Sequence, residues 1–146
     1  MAPEFRCDCP ITSALDIVGD RWMLVIVKQM LIEDKRTFKD FVESDEAVAT
    51  NILAAKLKCL ENHGLIAKTR HPTNKKTNLY FLTEKGLSLA PLIVELALWS
   101  DTNLRDVHPT MRNQKEQFAS MRKDRKAFVS KLQRHHREAM EASQRS

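Results

Sequence analysis

Apolar positions recur along this chain at spacings that divide it into helices interrupted by one hairpin. Pro10 suits the first position of a helix, and Ile11, Leu15 and Val18 fall on one face before Gly19 stops it. A second helix is predicted over about 21–32, because Trp22, Val25, Ile26, Met30 and Leu31 share helical spacing. A short third helix starts at Thr37, a suitable N-cap, carries Phe38, Phe41 and Val42 on its apolar face, and is broken by Ser44, Asp45 and Glu46. Over about 48–63 a fourth helix turns Ile52, Leu53, Leu57 and Leu60 inward and closes at Gly64, which can take the left-handed C-terminal conformation. Its opposite face carries Thr50, Asn51, Ala54, Ala55 and Lys58.

After Gly64 the pattern changes. Residues 65–70 and 78–82 read as two strands joined by a turn over 71–77, a β-hairpin with a basic tip. Thr83 then caps a long helix reaching about residue 103, with Leu87, Ala90, Ile93, Leu96, Ala97 and Trp99 as its buried stripe, and His108-Pro109 marks the next break. Residues 110–142 contain no Gly or Pro and predict a single helix. Its alternating three- and four-residue steps place Met111, Gln114, Phe118, Met121, Arg125, Phe128, Leu132, His135 and Ala139 on a ragged heptad seam. Such a seam suits a dimer arm; a solvated tail and a membrane-surface or partner-binding helix are the alternatives.

The fold class is therefore mainly α with a small β-hairpin. Three helices, a fourth with a polar outer face and then a basic hairpin make the order of a winged helix-turn-helix domain, assigned to residues 1–103. A basic C-terminal helical extension follows over 104–146. In such a module the recognition helix enters the major groove while flanking groups hold phosphates. Thr50, Asn51, Ala54 and Ala55 are short enough to let the backbone approach base edges, and Asn can pair bidentately with adenine. Lys56 and Lys58 suit phosphates, as does Lys39. In the hairpin, Arg70, His71, Lys75 and Lys76 form the candidate wing, with Asn74 and Thr77 as neutral donors.

Composition and charge sharpen this picture. At 146 residues the chain holds one domain or one domain with an appendage. Its net charge of +5 is unevenly spread. Residues 47–83 carry six Lys and Arg against Glu61 alone, and residues 112–146 carry ten against four acidic groups, so the rest of the chain is acidic. No apolar run is long enough to span a bilayer and the N-terminus lacks a signal-peptide core, so a cytoplasmic protein with no membrane partner is expected. Cys7, Cys9 and Cys59 are expected to be reduced.

At this point the sequence resembles the HxlR-type winged-helix transcriptional regulators. The matching features are Cys9-Pro10-Ile11, then Leu15-Asp16-Ile17-Val18-Gly19-Asp20-Arg21-Trp22, then Leu57-Lys58-Cys59-Leu60-Glu61-Asn62-His63-Gly64-Leu65-Ile66, and Tyr80-Phe81-Leu82-Thr83-Glu84-Lys85-Gly86, in the family's order and spacing. The resemblance covers about residues 7–103 and implies a homodimer whose paired recognition helices read a roughly palindromic operator in double-stranded DNA. Asp20 departs from the family, where Gly is usual, and Lys75-Lys76 stand where many members carry prolines. The resemblance also implies that Cys9 is the residue onto which sensing of oxidants or electrophiles carries over. Its position gives a physical reason as well, since an N-cap before Pro10 places the sulfur near free N–H groups that favour the thiolate. Cys7 is a candidate resolving thiol, and Cys59, on an apolar flank, reads as core.

Other readings have less behind them. Cys7, Cys9, His63, His71, His108 and His135-His136 offer metal ligands, but their spacing matches no structural zinc pattern, and a metal- or small-ligand-responsive regulator stands as the alternative. There is no phosphate loop, nucleophile elbow or paired-carboxylate constellation, so no enzyme and no cofactor are expected. A helical interaction protein that does not bind DNA is the remaining rival.

Overall fold

The structure is a computed structural model and describes residues 4–145. Helix α1 (Pro10–Val18) opens with Cys9 at its N-cap and Pro10 at its first position. Helix α2 (Met23–Leu31) is started by Asp20, whose Oδ1 accepts the N–H groups of Trp22 at 2.7 Å and Met23 at 3.0 Å. Helix α3 (Phe38–Val42) begins in a capping box: Thr37 Oγ1 accepts the Asp40 N–H, and the Asp40 carboxylate accepts the Thr37 N–H, each at 3.1 Å. Helix α4 (Thr50–Asn62) ends at His63, and Gly64 follows at φ +73°, the conformation its lack of a side chain permits. Strands β1 (Ile66–Arg70) and β2 (Asn78–Leu82) pair antiparallel, with Ile66 opposite Leu82 and Arg70 opposite Asn78.

Two of the predicted helices are each divided. Thr83 does cap a helix, its Oγ1 accepting the Gly86 N–H at 3.1 Å, but that helix, α5 (Glu84–Leu87), lasts one turn. Helix α6 (Ala90–Asn103) begins afresh because Pro91 fits only its first turn; in the middle of a longer helix it would forfeit a hydrogen bond and clash. Gly86 lets α5 lie against the start of β1, where a Cβ would stand 2.1 Å from the Leu65 carbonyl oxygen. The tail is likewise two helices, α7 (Lys115–Lys123) and α8 (Arg125–Gln144). Asp124 is extended between them and caps α8, accepting the Ala127 N–H at 3.0 Å.

The main core joins α2, through Ile26, Val27, Met30 and Leu31, to Phe41 of α3, to Leu53, Leu57 and Leu60 of α4, and to Leu82, Leu87 and Ile93. Phe41 is fully buried; truncating a core phenylalanine costs roughly 3–5 kcal/mol. A smaller cluster joins Val94 and Leu98 of α6 to Met121 of α7 and Phe118 and Phe128. Val129 and Leu132 of α8 pack against both, so the C-terminal helix is laid back on the domain. Its inward residue is His136, with no exposed surface. His135, placed on the seam by the sequence pattern, stands outside and meets Asp34 at 3.0 Å. The predicted stripes on α1 and α6 also need correction. Ile11 is 74% and Trp99 58% exposed, and Leu15 and Leu96 are exposed too, while Val18, Ile93 and Leu98 do the packing.

The outer edge of β2 has two claimants. The Tyr80 N–H donates to the Arg36 carbonyl at 2.7 Å, and the Leu82 N–H donates to His136 Nε2 at 2.9 Å. Accepting on Nε2 places the proton of the neutral ring on Nδ1. Burial, followed by the Arg36 guanidinium, drives the His136 pKa down to about 4, against the weaker pull of the Met30 carbonyl and Asp34. Between pH 6.5 and 4 the unfolded chain binds a proton that the folded chain refuses, so stability falls as pH drops through that window. Thermal melts followed by circular dichroism at pH 7, 6 and 5 should show a steeper loss for the wild type than for His136→Gln, whose amide oxygen can still accept from Leu82. Parallel slopes would refute the assignment.

Candidate nucleic-acid interface

Because Leu53, Leu57 and Leu60 anchor α4 in the core, its opposite side is turned to solvent, and Thr50, Asn51, Ala54, Ala55 and Lys58 are all exposed there. The hairpin stands beside this face. A groove of about 830 Å³ opens between α3, the start of α4 and the turn, lined by Lys39, Thr50, His71, Asn74, Lys76 and Thr77 among others. A second hollow of about 440 Å³ runs along the later turns of α4 past Ala54, Lys58 and Lys68, and Phe38 and Tyr80 line both. Of the residues the sequence proposed, Lys39, Thr50, His71, Asn74, Lys76 and Thr77 share the first hollow and Ala54 and Lys58 line the second, whereas Asn51, Ala55, Lys56, Arg70 and Lys75 line neither. Phe38 and Lys68 were missed as site residues. Phe38 was assigned to an apolar face, and Lys68, 3.8 Å from Glu61, was counted only as charge.

The hairpin turn is braced from within. Arg70 Nη1 donates to the Lys75 carbonyl at 2.6 Å, and His71 Nδ1 accepts the N–H groups of Thr73 and Asn74, each at 3.2 Å. Asn74 Oδ1 accepts the Lys76 N–H at 3.2 Å. His71 keeps Nε2–H as a free donor, and the Lys75 and Lys76 side chains project from a shaped loop. Lys39 is 3.9 Å from Glu43 on an exposed helix face, a pair too weak to hold it from another anion. Lys56 differs, because its ammonium is paired with Asp20 at the start of α2. Half-buried on the flank of α4, it is not among the free cations of the outer face.

Cys9 and Cys7 lie on the N-terminal segment. Cys7 is exposed, Cys9 is half-buried, and all three cysteines are free thiols. The Cys9 thiol is lowered from its ordinary value chiefly by the Thr12 N–H, then by the Thr12 hydroxyl and the Ile11 N–H, although none of them completes a cap hydrogen bond. Among the described residues no group of three or more His, Cys, Asp or Glu stands where it could hold a metal ion, and no helix is long and apolar enough to cross a membrane.

This combination of a polar outward helix, a shaped basic hairpin and an α-helical support defines a winged helix-turn-helix protein, and comparison with known proteins places it more closely. The model of the HxlR-like helix-turn-helix family matches residues 17–108, and the chain belongs to that family of transcriptional regulators. It is 29% identical over 106 residues to the uncharacterised HTH-type transcriptional regulator YybR of Bacillus subtilis, covering 72% of this chain and 82% of that protein. With the HTH-type transcriptional regulator YodB of the same organism it shares 31% identity over 94 residues, 64% of this chain and 83% of YodB. Among solved structures, PA1607, a putative transcription factor, superposes with a TM-score of 0.61 at 34% identity, covering 67% of each chain. The oxidised form of the redox regulator HypR gives 0.57 at 26% identity over 65% of this chain and 97% of HypR. Quinone-bound YodB gives 0.53 at 29% identity over 65% of this chain and 99% of that one.

The environment of Cys9 yields a direct expectation. With iodoacetamide at pH 7.5, Cys9 should be carboxymethylated faster than Cys7 or Cys59, as read by peptide mass spectrometry over time. Equal rates for Cys7 and Cys9 would show that the α1 amides do not activate the sulfur.

Proposed function

We propose that this protein binds operator DNA as a homodimer, with residues 1–103 as the DNA-binding unit and 104–146 as its support. The observation that carries the reading is the groove in which the start of α4, at Thr50, meets Lys39 of α3 and His71, Asn74, Lys76 and Thr77 of the wing, with the rest of the exposed α4 face beside it. Thr50, Asn51, Ala54 and Ala55 reach base edges, while Lys58, Lys39, Lys75 and Lys76, with the donors of Arg70, His71, Asn74 and Thr77, hold phosphate or minor-groove oxygens. Lys56 belongs to this set only when it leaves Asp20. The dimer follows from apolar surface. Leu92, Leu96 and Trp99 form an exposed stripe at helical spacing on α6, and Ile11 and Leu15 are exposed on α1. Surface of that kind suits a self-complementary twofold contact.

The test is binding to duplex DNA across a salt series. Lys75→Ala combined with Lys76→Ala should weaken binding on every sequence and flatten the log–log salt slope by about 0.9 for each phosphate that is no longer neutralised. Asn51→Ala should instead lower discrimination at one base pair by roughly 1–3 kcal/mol. Unchanged binding in both variants would overturn the recognition geometry.

A second reading adds a signal input, favoured by the activated position of Cys9 and by the kinship with HypR and YodB. Oxidation or alkylation of Cys9 changes operator affinity by altering the dimer. Gel-shift titrations with and without peroxide or a quinone should show a response in the wild type that Cys9→Ser lacks. Identical responses would remove Cys9 from the mechanism.

A further inference from the structure

The Asp20 carboxylate joins two elements that the DNA-binding reading needs in register. One oxygen, Oδ1, accepts the N–H groups of Trp22 and Met23 and so starts α2; the other, Oδ2, accepts from Lys56 Nζ in the middle of α4. The two side chains are 36 residues apart in sequence, and their contact ties the flank of the recognition helix to the preceding helix. Burial pushes the Asp20 carboxyl up, but Lys56 and the two amides outweigh it and hold the group below the usual carboxylate range. It is charged at neutral pH. The pair is also open to solvent, with side-chain exposures of 39% for Asp20 and 30% for Lys56, so a phosphate oxygen can reach the same ammonium.

We infer that Asp20 is an affinity-limiting positioning residue, which holds Lys56 on the flank of α4 and withholds its charge from the DNA backbone. The inference rests on the DNA-binding function proposed above. A half-exposed ion pair is weak and is screened by salt, so it acts as a competitor that phosphate must displace. While the pair holds, the recognition helix engages DNA with Lys58 as the exposed cation of its outer face. The carboxylate adds a second effect of the same sign, a fixed negative charge beside the recognition helix. The two are separable, because only the first needs Lys56.

The experiment compares full-length wild type with Asp20→Asn and Asp20→Ser on a mixed-sequence 30-base-pair duplex, by fluorescence anisotropy between 50 and 300 mM KCl. Both substitutions keep an oxygen that can accept from Trp22 and Met23 and remove the charge. Each variant should bind roughly three- to tenfold tighter at 100 mM KCl, and its salt slope should be steeper by about 0.9, the increment for one further neutralised phosphate. Asp20→Asn combined with Lys56→Gln should gain over Lys56→Gln alone only a small part of what Asp20→Asn gains over wild type, with the salt slope unchanged. Binding by Asp20→Asn and Asp20→Ser that is equal to or weaker than wild type would overturn the inference, and so would a gain that is undiminished without Lys56. A wild type that fails to bind any duplex would refute the DNA-binding reading itself. Wild-type binding that depends on Lys75 and Lys76 but ignores Asp20 would refute only the role given to Asp20.

Discussion

A two-stranded hairpin does not stand by itself in water, and the rest of this molecule is arranged around that constraint. Strand β2 has β1 on one side only, and its outer N–H groups at Tyr80 and Leu82 need acceptors. The Arg36 carbonyl, just before the α3 capping box, takes the first, and His136 on α8 takes the second. The same strand is buried at Tyr80, Phe81 and Leu82. The hairpin is therefore fixed along one edge by the helix-turn-helix and by the C-terminal helix together, and the turn at its far end is free to meet a ligand. His136 succeeds in this role by staying neutral: a protonated ring could no longer accept from Leu82 and would place a second cation beside Arg36.

The charge distribution follows the same division. Arginines of the C-terminal segment meet the acidic scaffold, with Arg112 on Asp45, Arg122 on Asp101, Arg125 on Glu95 and Arg137 on Glu84. Each exposed pair adds little to stability. Together they engage four of the ten basic residues of the second block within the molecule. In the block on α4 and the wing, Lys56 and Lys68 are paired with Asp20 and Glu61, while Lys58, Lys75 and Lys76 are in no ion pair among the described residues. Net charge alone conveyed none of this.

Much of the fold was legible in the sequence because its helices are amphipathic and its caps are local. Thr37, Thr83 and Gly64 act where their residue types say they should. The two missed breaks had local signals, Pro91 and Asp124, that a continuous apolar period overrode. Long-range partners had none. Nothing near Lys56 in sequence announces Asp20, and of two adjacent histidines the pattern chose His135 where packing chose His136. The exposed apolar residues of α1 and α6 were read as core because periodicity reports that a face is apolar, not what covers it. For the candidate site, the helical period was enough to turn Thr50, Asn51, Ala54, Ala55 and Lys58 to the exposed face of α4, whereas the pairing of Lys56 and the bracing of the turn by Arg70, His71 and Asn74 required coordinates.

Whether α4 and the wing grip DNA as a twofold pair is decided by hydroxyl-radical footprinting of the full-length protein on the duplex enriched by selection from random sequence. Two symmetry-related protected patches are expected, their centres separated by one helical turn, about 10–10.5 base pairs, or a multiple of it, with flanking protection where the wings lie. A single unsymmetrical patch, or no protection at protein concentrations that saturate the selected duplex, would contradict the twofold grip.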